Sequence, residues 1–259
     1  MYWSSLPRVF ALILLLMAMP SNGEARQQAV LCATHWPPFT IVENEQVVGG
    51  ISLEIQREAF ARLQQPMHIE SLQWSRCLQA VREGRRTAAI DHVATAASLH
   101  GSVSSSYYPL YLYTDRERDV KPFDWQGFTG VPVGMVRGYT YTEKVRLRRQ
   151  WQGDYANDDD TVVRKLLIDR YRYVLLDPFV ADVISRQRGI RLFRLEPMVD
   201  VEPLYLDFAP KEQALMLAHQ QVLQQMIDEG VLDRIYQRHG LEPFRQLQRR
   251  YQAKTVGRR

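Results

Sequence analysis

His35, Trp36, two prolines and Phe39 follow directly on a short apolar run, Val30 to Ala33. Proline lacks the N–H that a strand ladder needs, and it biases the residue before it away from helix. A strand from Val30 therefore stops near Thr34 and delivers a stiff aromatic turn at its carboxyl end. In open α/β sheets ligands sit there; the plainer alternative is a turn whose Trp36 and Phe39 plug a core. Asp91 and His92 end another apolar run, Thr87 to Ile90. Two ionisable side chains at a strand's carboxyl end could bind a polar ligand or do general acid–base work, although a lone His there is more often structural. Arg137-Gly138-Tyr139-Thr140-Tyr141 follows the run Val131 to Val136. A turn that opens a helix has free N–H groups for an anion, and Arg137 could add a bidentate grip on a carboxylate. Thr140 also suits an N-cap. Asp177 closes the run Tyr173 to Leu176 and precedes Pro178. A carboxylate there could hold a cation in a dry cleft, or serve as a helix cap with Pro at the first helical position.

The elements that carry these residues alternate. After a hairpin strand, Gln46 to Val48, a helix from Ser52 to Leu63 puts Ile55, Ala59, Phe60 and Leu63 on one face. The strand Met67 to Leu72, a helix from Ser75 to Glu83 stopped by Gly84, and the strand Thr87 to Ile90 follow. Strand, helix, strand, helix, strand is the pattern of a parallel α/β sheet. The aromatic run Tyr107 to Thr114 and the charged Asp115 to Lys121 read as a crossing into a second unit. That unit has strands Val131–Val136, Tyr173–Leu176 and Arg191–Leu195. Its helices run from Tyr141 through Arg149, over Val162 to Ile168 behind three Asp residues, and from Pro178 to Gln187. Leu204 to Ala209 reads as a returning strand. The helix after Lys211 then carries Leu215, Ala218, Val222 and Met226 as a stripe, and a short helix, Leu232 to Arg238, ends at Gly240.

The 259 residues are 46% apolar and 24% charged, enough for two modest units, each with a core. Arg8, the apolar run Val9 to Met19, and Gly23 and Ala25 read as a cleaved secretory signal over residues 1–25. The run is too short for a stable span, and an uncleaved anchor is the lesser alternative. In an exported chain Cys32 and Cys77 are expected to form a disulfide, with two buried free thiols as the alternative. The net charge of +4 misleads, because the tail after Arg245 has five basic residues and no acid. The rest is close to neutral, which does not suit a nucleic-acid groove. Residues 246–259 read as a solvated, disordered end, with weak attraction to an anionic membrane as a minor alternative. No nucleotide loop, zinc spacing or serine elbow is visible, and no cofactor or metal is expected.

The order of these landmarks resembles the bacterial extracellular solute-binding proteins of family 3, the polar amino-acid-binding type of periplasmic protein. The likeness runs from Val30 to Gly240 through WPPF at 36–39, GGISLEI at 49–55, WSRCLQAVREG at 74–84, YYPLYLYT, VGMVRGYTY at 133–141, VLLDPFVADVI at 174–184 and MIDEGVLDRIYQRHG. The resemblance implies a two-lobed periplasmic binding protein fold of type II. Each lobe would be a mixed, mostly parallel sheet flanked by helices. Lobe 1 would comprise residues 29–118 plus 206–245 and lobe 2 residues 119–205, closing on a ligand about two hinge strands. It places Trp36 and Trp74 as aromatic walls, Asp91 and His92 as polar contacts, and Asp177 on a ligand amino group. Phe39, Arg76, Arg137, Gly138, Tyr139 and Thr140 complete the expected ligand-binding set. One departure matters. After the third strand the family carries an Arg for an amino acid's α-carboxylate, whereas TAASLHG at 95–101 has none. Arg76 or Arg137 could substitute, or the ligand lacks that group.

The expected function is a monomeric periplasmic protein that captures a small polar or amine-bearing solute for an ABC-type permease. The alternatives are a sensing module for a receptor such as a sensor kinase and, less favoured, a dehydratase-like enzyme on the same fold. No catalytic residue is assigned.

Overall fold

Ala29, Leu31, Cys32 and Ala33 are buried, so strand β1 (Ala29–Ala33) is covered on both faces, as central parallel strands are. The computed structural model describes residues 27–139, 141–142, 144–145 and 151–256, with side chains up to Ala253. The expected signal segment, most of the helix through Arg149, and Thr140 lie outside these residues.

After β1 comes the hairpin β2 (Ile41–Glu43) and β3 (Gln46–Gly49), then helix α1 (Ile51–Arg62), β4 (Met67–Ser71), α2 (Trp74–Arg82) and β5 (Ala88–Val93). Strand β1 pairs in parallel with β4 on one side and β5 on the other. Gly50, at φ 108°, joins β3 to α1, and a Cβ there would stand 2.2 Å from the Phe39 carbonyl oxygen. Only glycine permits that approach. It lets Ile51 and Ser52 at the start of α1 donate to the Pro38 and Phe39 carbonyls at 3.0 and 2.9 Å. The helix N-terminus thereby holds the proline turn in place.

Two nine-residue strands carry the chain between halves: β6 (Ser106–Thr114), buried throughout, and β11 (Asp200–Phe208). They pair with each other antiparallel, Leu204 opposite Ser106 and Asp200 opposite Leu110. Beyond that stretch β11 pairs with β5 of the first half, while β6 turns its Tyr111 to Tyr113 to β9 (Tyr173–Leu176) of the second. The second half also holds β7 (Pro132–Val136), parallel to both β9 and β8 (Gln152–Ala156), with β10 (Phe193–Arg194) on β6. Its helices α3 (Asp159–Leu167) and α4 (Pro178–Arg188) flank the sheet. This is the two-lobed, mixed α/β type II architecture.

The first half is completed by α5 (Gln213–Asp228) and α6 (Val231–Arg238). The buried stripe of α5 is Met216, His219, Leu223, Met226 and Ile227, one position on from the expected Leu215, Ala218 and Val222. His219 reads as polar, which hid the stripe. It lies between the rings of Phe60 and Phe208 and shares a 2.9 Å hydrogen bond with Gln56 Oε1. Burial drives its pKa down to about 4, so the ring is neutral.

The expected disordered end is corrected over most of its length. Residues Phe244–Val256 form a helix, α7, with Phe244 and Leu247 buried. Phe244 packs on Tyr107 of β6 and Tyr236 of α6 with ring centroids 5.3 and 5.9 Å apart. An apolar stripe, Phe244, Leu247 and Tyr251, at helical spacing explains the helix. The basic residues between disguised it.

Candidate functional site

The carboxyl ends of β1 and β5 and the starts of α2 and β7's turn converge where β6 and β11 cross. Thr34, Trp36 and Thr40 from the proline turn, Trp74 at the start of α2, and Ile90, Asp91 and Val93 of β5 line an inner cavity of about 40 Å³. Tyr108 of β6, Leu204 of β11 and Tyr139 from the second half close it. The space suits about three water molecules. It adjoins an outer chamber of about 450 Å³ that shares Thr34, Trp36, Trp74 and Tyr139 and adds Arg137, Gly138 and Asp158 to Asp160. Trp36 and Tyr139, from opposite halves, meet at 6.0 Å between centroids, so the halves are shut on one another.

Strand β5 runs on through Asp91 and His92 to Val93, rather than ending before them. Successive strand residues face opposite ways, and so do these two. Asp91 takes a left-handed φ of 61°, which aspartate tolerates better than most residues, beside an irregularity in β11 between Tyr205 and Asp207. Its carboxylate enters the cavity. Ser52 Oγ donates to its Oδ2 at 2.5 Å, and Oδ1 is buried without a hydrogen-bond partner in the protein. Trp36 Nε1 is likewise buried and unpaired. Backbone strain and unpaired buried polar atoms gather where a ligand completes a site. His92 turns away. Its Nδ1 lies 2.9 Å from Asp207 Oδ2 and 3.3 Å from Ser98 Oγ, outside the cavity lining.

Other expected residues divide the same way. Trp74 forms a wall, while Phe39 is fully buried and stacks behind Trp36 at 4.5 Å, supporting it rather than facing the space. Arg76 lines a separate groove beside β4 with Arg57 and Glu70. Arg137 is exposed at the outer chamber, and its backbone N–H is already given to the Ala156 carbonyl at 2.7 Å. Asp177 is 2% exposed and lines neither space. Its Oδ1 accepts from the N–H groups of Phe179 and Val180 at 2.9 and 2.8 Å, the helix-cap alternative. Thr140 lies outside the described residues. In the TAASLHG stretch, Leu99 is bridged to Phe208 and gives its N–H to Asp207.

Ser52, Tyr108, Leu204 and Asp159 were missed. Ser52 and Leu204 are ordinary core types in sequence, and their place comes from pairing across the chain. Asp159 stood out as one of three consecutive acids, but its position shows only in the fold. Tyr139 Oη donates to Asp159 Oδ2 at 2.7 Å. Its neighbours are engaged elsewhere: Asp158 caps α3 by accepting from Thr161 N, and Asp160 pairs with Arg188 and Arg164.

The electrostatics are one-sided. Burial pushes the Asp91 carboxyl up to about 7 against the Ser52 hydrogen bond. Burial likewise raises Asp159 to about 6 and Asp177 to about 8. The hydroxyls of Tyr108, Tyr139 and Tyr141 are raised well above the usual phenol value, first by burial and further by neighbours that include Asp159 and Asp177. Among the described residues no Arg or Lys lines the inner cavity or pairs with Asp91, Asp159 or Asp177. Of the three carboxyls Asp91 lines the inner cavity and Asp159 the outer chamber, and burial opposes the charge of each.

The disulfide is present. Cys32 and Cys77 are bonded with their Cα atoms 5.7 Å apart. It ties β1 to α2, and so the strand that leads to Trp36 is fastened to the helix that begins at Trp74. Among the described residues no group of side chains is arranged for a metal, and no helix is long and apolar enough to cross a membrane.

No curated protein matches the chain. Among solved structures, the probable amino-acid ABC transporter extracellular-binding protein YtmK of Bacillus subtilis is 17% identical, with a TM-score of 0.69, over 81% of this chain and 96% of its own. A putative L-cystine ABC transporter protein of Listeria monocytogenes is 15% identical with a TM-score of 0.69, over 82% and 95%. A histidine kinase sensor domain similar to periplasmic binding proteins is 15% identical with a TM-score of 0.72, over 85% and 99%. These identities speak for the fold. The profile of one family matches residues 29–242, from the first residue of β1 to just before α7. With two halves shut over a cavity between them, the chain belongs to the bacterial extracellular solute-binding proteins, family 3.

Proposed function

We propose that this chain captures a small solute bearing an ammonium group between its two halves and delivers it to an ABC-type importer. The observation that carries the reading is Asp91 Oδ1, buried and unpaired in a cavity with aromatic walls and no cation. An ammonium group pairs that oxygen and lies against the faces of Trp36 and Trp74. An ordinary α-amino acid fits less well, because the stretch 95–101 has no guanidinium for its carboxylate. Residues 29–118 with 206–245, and 119–205, act as the closing units, with β6 and β11 as hinges. The chain works as an exported monomer after loss of residues 1–25.

The test is calorimetric titration and thermal shift of the mature chain with simple amines, amino acids and small carboxylates. A ligand that binds the native state raises its melting temperature. Amines are expected to do so and Asp91→Asn to remove the effect. If carboxylates alone stabilise the chain, the reading is wrong.

A second reading, ligand sensing for a receptor, is favoured by the likeness to a histidine kinase sensor domain. It uses the same cleft. The catalytic alternative has less support, since Asp91, His92 and Asp177 do not converge: one faces the cavity, one Asp207, and one caps a helix.

A further inference from the structure

The inner cavity and the outer chamber have Thr34, Trp36, Trp74 and Tyr139 in common, so a solute lying along these rings would have one end in each space. A carboxylate stands at each end. Asp91 is at the inner end with Oδ1 unpaired. Asp159 lines the outer chamber, held by the Tyr139 hydroxyl, and among the described residues no basic side chain pairs with it. Asp158 and Asp160 beside it are engaged with α3 and with arginines, which leaves Asp159 as the acid open to a solute.

Resting on the ammonium reading above, we propose that the solute is a linear dication, a straight-chain diamine, with one ammonium group on Asp91 and the other on Asp159. The aliphatic chain between them lies on the shared aromatic walls, which supply apolar area and tolerate a cation at either end.

The charge count argues for two amines rather than an amine and a carboxylate. A carboxylate in the inner cavity would face Asp91 with no cation to offset the repulsion. In the outer chamber it would meet three aspartates and one arginine, Arg137, which is exposed. An exposed pair of that kind contributes little. The unpaired Trp36 Nε1 is a donor, which an ammonium group does not pair; a water carried in with the solute provides the acceptor.

Three probes separate the possibilities: cadaverine, pentylamine, which lacks its second amine, and lysine, which is cadaverine with a carboxylate. With the wild-type chain, cadaverine should bind at least tenfold tighter than pentylamine and no weaker than lysine. Asp159→Asn should bring cadaverine down to the affinity of pentylamine and leave pentylamine unchanged. Asp91→Asn should abolish both. The wild-type contrast needs no variant, so it stands even where a substitution disturbs folding. Equal affinities for cadaverine and pentylamine, or lysine binding tenfold tighter than cadaverine, overturn the dication while leaving the ammonium reading intact. Binding of none of the three overturns both.

Discussion

Ser52 Oγ donates to Asp91 Oδ2 at 2.5 Å, and the bond joins the first turn of α1 to the carboxylate that enters the cavity. It is the one side-chain hydrogen bond that favours the ionised form of Asp91 against its burial. Ser52→Ala removes it and leaves a second buried oxygen unpaired. A hydrogen bond to a charged group contributes about 1.5–3 kcal/mol, so amine affinity should fall at least tenfold at neutral pH. Calorimetry on the variant, with its melting temperature as a control, checks this. An unchanged affinity would mean that Asp91 does not meet the solute as an ion.

Burial raises Asp91 to about 7, Asp159 to about 6 and Asp177 to about 8. In the unfolded chain each loses its proton near pH 4. Between these values the folded state holds more protons, so stability from these groups is greatest below about pH 4 and falls as pH rises towards about 8. The melting temperature of the ligand-free chain should therefore decline across that window, and Asp91→Asn should flatten the decline. Parallel profiles for the two proteins would refute the assignment.

An ammonium group that binds beside Asp91 favours its ionised form, so binding near neutral pH should release protons. Titrations in buffers of different ionisation heat should give different apparent enthalpies with the wild-type chain. The difference should shrink in Asp91→Asn. Buffer-independent heats would count against a carboxyl that is half-protonated before the solute arrives.

The disulfide between Cys32 and Cys77 spans 45 residues of sequence. Its loss should lower stability by roughly 2–4 kcal/mol, read from urea unfolding of Cys32→Ser/Cys77→Ser. The fold should survive, because both positions lie in a packed cluster with Val81 and Ala89.

Phe244 is fully buried between Tyr107 and Tyr236. Truncating it to alanine should cost about 3–5 kcal/mol, with loss of α7 from the back of β6. An unfolding midpoint equal to that of the wild type would show that the helix does not belong to the folded unit.

Much of this was legible because apolar runs and their stops are local. The βαβ pattern, the strand Tyr107 to Thr114 and the aromatic turn could be read from periodicity and proline, whereas β11 was read only from Leu204 although it begins at Asp200. The cysteine pair followed from export. Asp177 was ambiguous, since a carboxylate before proline suits both a cap and a ligand, and the cap is what its geometry serves. His92 was paired with Asp91 because the strand was ended at Ile90; it runs on to Val93, which sends their side chains to opposite faces. Ser52 reaches Asp91, and Tyr108 and Leu204 reach the cavity, through pairings across 39 residues or more, for which a single sequence holds no local signal. Strand β8 was missed because its Gln152, Gly153 and Tyr155 are exposed and carry no apolar run.

Tyr108 and Leu204 belong to the strands that pass between the halves, whereas Trp36 and Tyr139 stand one on each half. A rotation about those strands would leave the floor of the cavity almost stationary while its walls part. The indole of Trp36 would then move from beside a phenol into water. Its fluorescence, in a chain whose other tryptophans are replaced by phenylalanine, would time each opening without any attached label.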